Sequence, residues 1–381
     1  MTTSRYRYQL EILKYDYTPV GQLPITPDWQ PAIEWARLGA IRAGSPIGVV
    51  AASGTVDPIW NSEAGQPYIS GFKVSVDGEP ARASEFEITY WRSLARAAAA
   101  TLIEKKVLLD GEQFRYRVAA FPRTDAPSSR GKLDSGVTEV APDLQLSEGN
   151  LADMVAAGSP VGAINPSDPP VFIPSQLIRE AVKMKAEAQA TETGSVLIGR
   201  LCIDRRGPAA ELFAVVTAHV PARYTSNELT RMTFTADTWA DVHNAISLRG
   251  AGEVMLAWFH THPTRHFCTC EDCDRSRCSL NTDFFSLDDQ LLHRSVFPRA
   301  WTSALVISDV MDESGTWTDS CSLFGWRDGA IVERGFYEFD PDRADRVATT
   351  DGGKGGTSIV KRSGNPVLGS TVGGGRRGAG A

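Results

Sequence analysis

Five consecutive apolar residues, Met255-Leu256-Ala257-Trp258-Phe259, run directly into His260-Thr261-His262-Pro263. A short unbroken apolar run reads as a strand buried on both faces, and the two-residue period puts His260 and His262 on one side of its end. Residues 235–239 begin a helix whose Trp239, Val242, Ala245 and Ile246 share one apolar face. Further on, Ser286 opens a second apolar-periodic stretch through Leu287, Leu291, Leu292 and Phe297, which places Asp289 in the first turn of a helix. Residues 176–188 predict a helix leading into a strand over 192–199, residues 301–310 a further strand, and 321–326 with 330–337 a hairpin around Arg327-Asp328-Gly329. The order helix, strand, strand, helix, strand, helix, strand, hairpin predicts a mixed α/β sheet with helices on its faces.

Earlier in the chain the pattern changes. Residues 6–13, 68–76 and 114–121 read as strands and 86–105 as an alanine-rich amphipathic helix, an α+β domain expected over residues 1–158. Two stretches rich in Ser, Asp, Gly and Pro, 124–149 and 158–170, place the junction between them, and the second domain over 165–345. From 349 to 381 the composition collapses to Gly, Ser, Arg and Lys, which cannot build a core and is expected to be disordered. Trp29, Trp35, Trp60 and Trp91 could line a binding face, but tryptophans are more often core residues.

The chain has 381 residues, 42% hydrophobic and 22% charged, as in an ordinary soluble protein of two domains. It lacks an apolar run of membrane-spanning length and a basic, then apolar, N-terminal leader, so a cytoplasmic location is expected and a membrane partner is not. A net charge of −7 argues against a general nucleic-acid binder and favours a small globular protein as partner.

Two imidazoles and a carboxylate, His260, His262 and Asp289, are a zinc ligand set that leaves the fourth tetrahedral position open, the arrangement of a catalytic site. Each part alone has a plainer reading. A His-x-His pair on a strand is often two ordinary side chains, Ser286-x-x-Asp289 is a helix capping box in its own right, and Glu192 at a helix-to-strand junction is usually a solvated group. Their joint order decides for a metal site. Glu192, then His260-x-His262-Pro263, then Ser286-x-x-Asp289 resembles the JAMM (JAB1/MPN/Mov34) metalloprotease family over roughly residues 170–340, as a bacterial JAB-domain protein with an N-terminal extension.

The resemblance implies a cytidine-deaminase-like mixed sheet, His260, His262 and Asp289 as ligands of a catalytic zinc, Glu192 as general acid/base, and Ser286 as hydrogen-bond donor to the tetrahedral intermediate. Such a zinc lowers the pKa of bound water toward about 7, within range of a carboxylate base. In the strand after Glu192, Ser195 stands where the family has a second glycine.

One departure is large. Residues 263–285, 23 in all, separate His262 from Ser286, where the family pattern has about seven. This insert, 264–285, holds four of the six cysteines within eleven residues: Cys268, Cys270, Cys273 and Cys278. Clustered thiols in a cytoplasmic chain point to a structural zinc, with His266 able to replace one sulfur; a redox-sensitive cluster or a loop with incidental thiols are the alternatives. Cys202 and Cys321 lie in apolar runs and read as packing residues, and His219, His243 and His293, without partner spacing, as structural.

The function implied is a zinc-dependent isopeptidase or peptidase that cuts after the C-terminal glycine of a ubiquitin-like or sulfur-carrier protein, with E1- or E2-like enzymes of the same pathway as further partners. The rival expectations are a non-catalytic MPN scaffold, although Glu192, His260, His262 and Asp289 are all retained, and a nucleic-acid-associated JAB module, which the acidic charge weakens.

Overall fold

The computed structural model describes residues 5–45, 53–61, 67–76, 83–123, 145–222, 234–267, 285–311 and 316–341. Cys268, Cys270, Cys273 and Cys278 of the insert, and the glycine-rich tail, lie outside the described residues. The chain is mixed α/β and builds two sheets. No helix among the described residues is long and apolar enough to cross a membrane.

The first sheet contains β1 (Tyr6–Lys14), β2 (Pro19–Ile25), β3 (Gly54–Trp60), β4 (Tyr68–Val76), β5 (Ala83–Glu87) and β6 (Phe114–Pro122), in the order β2-β1-β6-β4-β3 with β5 on β4. Helices α1 (Gln30–Arg42) and α2 (Arg92–Glu104) cover it, and Trp29, Phe72 and Trp91 fill the core between. Two of the four tryptophans considered for a binding face are therefore core, whereas Trp60 is exposed. The helix expected from residue 86 begins only at Arg92, because Ala83–Glu87 pairs with β4 and a 3₁₀ turn, Ile88–Trp91, intervenes.

The second sheet starts earlier than the composition suggested. It comprises β7 (Leu146–Glu148), β8 (Gly158–Val161), β9 (Val171–Pro174), β10 (Gly194–Asp204), β11 (Glu211–Pro221), β12 (Val254–His262), β13 (Ser303–Met311), β14 (Trp317–Arg327), β15 (Ala330–Arg334) and β16 (Phe336–Phe339). Their order is β15-β14-β13-β12-β10-β11-β9-β16-β8, with β7 on β10. Residues 146–148 and 158–161, with helix α3 (Leu151–Ala157) between them, thus pair within this sheet.

Helices α4 (Ser175–Ala188), α5 (Ala236–Arg249) and α6 (Leu287–Val296) complete the second layer set. Leu177, Ile178 and Ala181 of α4 pack on one face with Leu197, Phe259 and Leu305. Val242 and Trp239 of α5 and Leu292 and Val296 of α6 pack on the other with Val196, Trp258 and Ala304. The alternation is pleat geometry: neighbouring residues of a strand face opposite sides.

The expected hairpin forms at Asp328-Gly329, both at positive φ (49° and 72°), as a two-residue turn with matching twist requires. Its second strand stops at Arg334, and residues 336–339 leave to pair with β9 and β8, so the single strand expected over 330–337 is two.

Candidate metal centre

Strand β12 runs through His262, so the His pair sits at the strand's end, two residues apart. A register shift at Leu256 sets the phase: Ala257 and Phe259 face α4, while Trp258, and with it His260 and His262, faces α5 and α6. Both imidazoles are buried. On that face α6 begins with Ser286 as N-cap. The Ser286 Oγ accepts from the Asp289 N–H (3.1 Å), and the Asp289 Oδ2 accepts from the Ser286 N–H (2.8 Å), a reciprocal box that fixes the carboxylate against the helix start.

The box aims Asp289 at the histidines. His260 Nε2 and His262 Nε2 are 2.9 Å apart, Asp289 Oδ1 is 3.3 Å from His260 Nε2, and Asp289 Oδ2 is 3.9 Å from His262 Nε2. These three residues can each offer a ligand atom within 4.8 Å of the others. Ligands at 2.0–2.1 Å around a tetrahedral ion stand about 3.3–3.4 Å from one another. The observed separations bracket that figure, and the donors are the two nitrogens and one oxygen zinc accepts, so the residues fit the ion.

Electrostatics favours the same use. Burial, reinforced by the neighbouring His260, pushes the His262 imidazole down to about 3 against the pull of Asp289, so its lone pair is free at neutral pH. Burial works to raise the Asp289 carboxyl, but His260 and the Ser286 hydrogen bonds outweigh it and hold the group well below the usual carboxylate range. A neutral imidazole at His262 beside an ionised carboxylate at Asp289 suits the binding of a cation.

The strand expected from residue 192 starts at Gly194, so Glu192 stands just before β10. Gly194 pairs with His260, Thr193 N donates to Thr261 Oγ1 (3.0 Å) and Thr261 N donates to Thr193 O (2.9 Å). His266 lies in the 3₁₀ turn Thr264–His266, immediately after His262-Pro263.

Two clusters near this region have no signature in the sequence. Lys185, buried within α4, donates to Ser308 O (3.0 Å) and Asp309 Oδ1 (2.7 Å) and pairs with Asp319, while Asp309 also pairs with Arg265 (3.1 Å) and its carbonyl accepts from Thr264 Oγ1 (2.7 Å). That network ties the segment just after His262 to the end of β13. His219, on β11, lies between Ser195 Oγ (3.0 Å) and Glu180 Oε2 (3.1 Å) on the opposite, α4 face. Cys202 is buried, and burial pushes its thiol up to about 11, as befits packing; Cys321 is half-buried against the α4-side core.

No family model matches the chain, and no curated protein matches it. Among solved structures it is similar to protein DSY2949 from Desulfitobacterium hafniense, at 18% identity over 46% of this chain and 97% of that one, with a TM-score of 0.29. A likeness that remote carries no argument.

Proposed function

We propose that this chain is a zinc-dependent hydrolase of the JAMM type, an isopeptidase or peptidase that cuts after the C-terminal glycine of a ubiquitin-like or sulfur-carrier protein. One observation carries the reading: ligand atoms from two separate elements, the end of β12 and the first turn of α6, converge within 4.8 Å. The pairing of Gly194 with His260, which brings the start of β10, with Glu192 just before it, beside the His pair, and the order of strands and helices from α4 to β15, support it. The substrate class rests on the resemblance of the motif, and a Gly-Gly tail suits such a site because it can lie extended beside a strand without side-chain clashes.

His260, His262 and Asp289 would hold the zinc, which when bound supplies Lewis acidity at the open coordination place. In this reading Glu192 takes the proton from the attacking water and returns it to the departing amine. Ser286 already uses its oxygen to accept from the Asp289 N–H, which leaves the hydroxyl proton to donate to the substrate carbonyl. The thiols of Cys268, Cys270, Cys273 and Cys278 would hold a second, structural zinc.

Metal analysis of the purified chain, with cleavage of Gly-Gly-tailed ubiquitin-like fusions, tests this. The parent should carry about two zinc ions. His262→Ala should lose one of them and all cleavage, Glu192→Gln should keep both but lose cleavage, and Cys273→Ser should lose only the other ion. A parent chain that binds no divalent metal, or one that still cleaves after Glu192→Gln, refutes the reading.

A further inference from the structure

Histidines that hold a metal ordinarily donate their second ring nitrogen to a carboxylate or carbonyl, which fixes the plane of the imidazole and the direction of its lone pair. His260 departs from this. Its Nδ1 is buried and finds no hydrogen-bond partner among the described residues. A ring without that anchor needs its plane fixed in another way.

Trp258, two residues earlier on the same face of β12, supplies one. Its indole stacks on the His260 imidazole with centroids 4.6 Å apart and planes 17° from parallel. The indole is in turn held at its edge, where Trp258 Nε1 donates to His293 Nδ1 at 3.2 Å. His293 is fully buried in the α6 helix, one turn after Asp289, and lies parallel to Phe297 with centroids 5.9 Å apart and planes 13° apart. An acceptor at Nδ1 requires the tautomer that carries its proton on Nε2. That second nitrogen is also buried without a hydrogen-bond partner among the described residues, so the Trp258 bond is the polar contact that selects the tautomer.

We propose that Trp258 is a positioning residue for the metal ligand His260, its indole plane set by His293, so that helix α6 orients the strand's ligand as well as supplying its own. The inference rests on the zinc-site reading above. A packing role alone would explain apolar contact but not the pairing of an indole N–H with a fully buried imidazole nitrogen, since burying two polar atoms in an aromatic core costs free energy unless they meet each other.

The test reads metal binding, not turnover. Zinc affinity is measured by competition with a chelator for the parent, Trp258→Phe, His293→Leu, His293→Asn and the double variant Trp258→Phe/His293→Leu, with the cobalt(II) absorption spectrum recorded on each. Losing the donor or the acceptor should weaken binding about tenfold and shift the cobalt bands. The double variant should lose no more than either single one, and His293→Asn, which keeps an acceptor, should stay near the parent. Equal affinity and spectra across the series, or an Asn variant as weak as the Leu variant, overturn the proposal. The unaltered chain gives a check free of folding defects: in the ¹⁵N–¹H spectrum the Trp258 indole resonance should shift when zinc is added, and a resonance that stays in place is equally fatal. Absence of any zinc binding by the parent would instead defeat the functional reading itself.

Discussion

His293 shows what one buried imidazole contributes to the pH dependence of the fold. It reads as a structural histidine in the sequence, and it is fully buried, but burial, with Arg334 and Arg294 nearby, pushes its imidazole down to about 3. A histidine that is neutral in the folded chain and has an ordinary value near 6.5 when unfolded gains a proton on unfolding at any pH between the two. Its contribution is therefore intact above about 6.5 and is lost as pH falls toward about 3, at up to ~1.4 kcal/mol per pH unit. Urea unfolding of the chelated protein at pH 6.5, 5.5 and 4.5 should show the parent losing stability faster than His293→Asn by nearly one proton's worth. His262 titrates in both proteins, so the difference isolates residue 293, and parallel slopes would show that His293 is not held neutral. Nothing at position 293 announces this in the sequence, because the partner that matters, Trp258, comes from a strand 35 residues earlier.

At the scale of elements, the start of α6 carries two duties that one substitution can separate. The Ser286 hydroxyl caps the helix and, in the proposed reaction, also donates to the substrate. Ser286→Ala should lower stability by ~1 kcal/mol through loss of the cap yet keep the metal, because Asp289 is still held by the backbone N–H of residue 286. Ser286→Gly keeps a favourable N-cap residue and offers no side-chain donor, so thermal unfolding should recover to within a few tenths of a kcal/mol while cleavage stays low; recovery of both would leave the hydroxyl no part in the reaction. The cap, the Asp289 turn and the buried strand before His260 were all legible because each follows from local spacing. Less legible were the short pieces β7, β8 and β9, which run three or four residues. Their pairing is decided by distant strands, so no period is long enough to read. The break at Gly335 was hidden in the same way: a single residue separates β15 from β16, but a Cβ at Gly335 would meet the Ala163 carbonyl carbon at 2.7 Å, where the chain changes neighbours.

The joint between the two sheets belongs to the molecule as a whole, and composition gave no sign of it. Helix α1 serves both cores: Ala32, Ile33 and Ala36 pack on the first sheet, and Leu38 and Ile41 on the second. Between these faces Glu34 is buried, paired with Arg299 from the segment before β13 and near Arg37 at 3.9 Å. Burial raises the Glu34 carboxyl in spite of both guanidinium groups. A charge so placed costs a good deal once its partner is gone, so Arg299→Ala should destabilise the folded chain by about 2–3 kcal/mol, below the fully buried range because Arg299 is partly exposed and Arg37 remains. The pH dependence has a definite sign. With its folded value above the unfolded 4.5, Glu34 binds more proton in the folded chain, so its penalty is relieved at acid pH and grows as pH rises through the raised value. Unfolding measured at pH 7 and again near pH 4.5 should therefore show a smaller cost of Arg299→Ala at the lower pH, and Glu34→Gln should rescue most of the loss at neutral pH. A cost that is the same at both pH values, with no rescue, would mean that Arg299 stabilises the joint by packing and that the buried charge is satisfied by Arg37 alone.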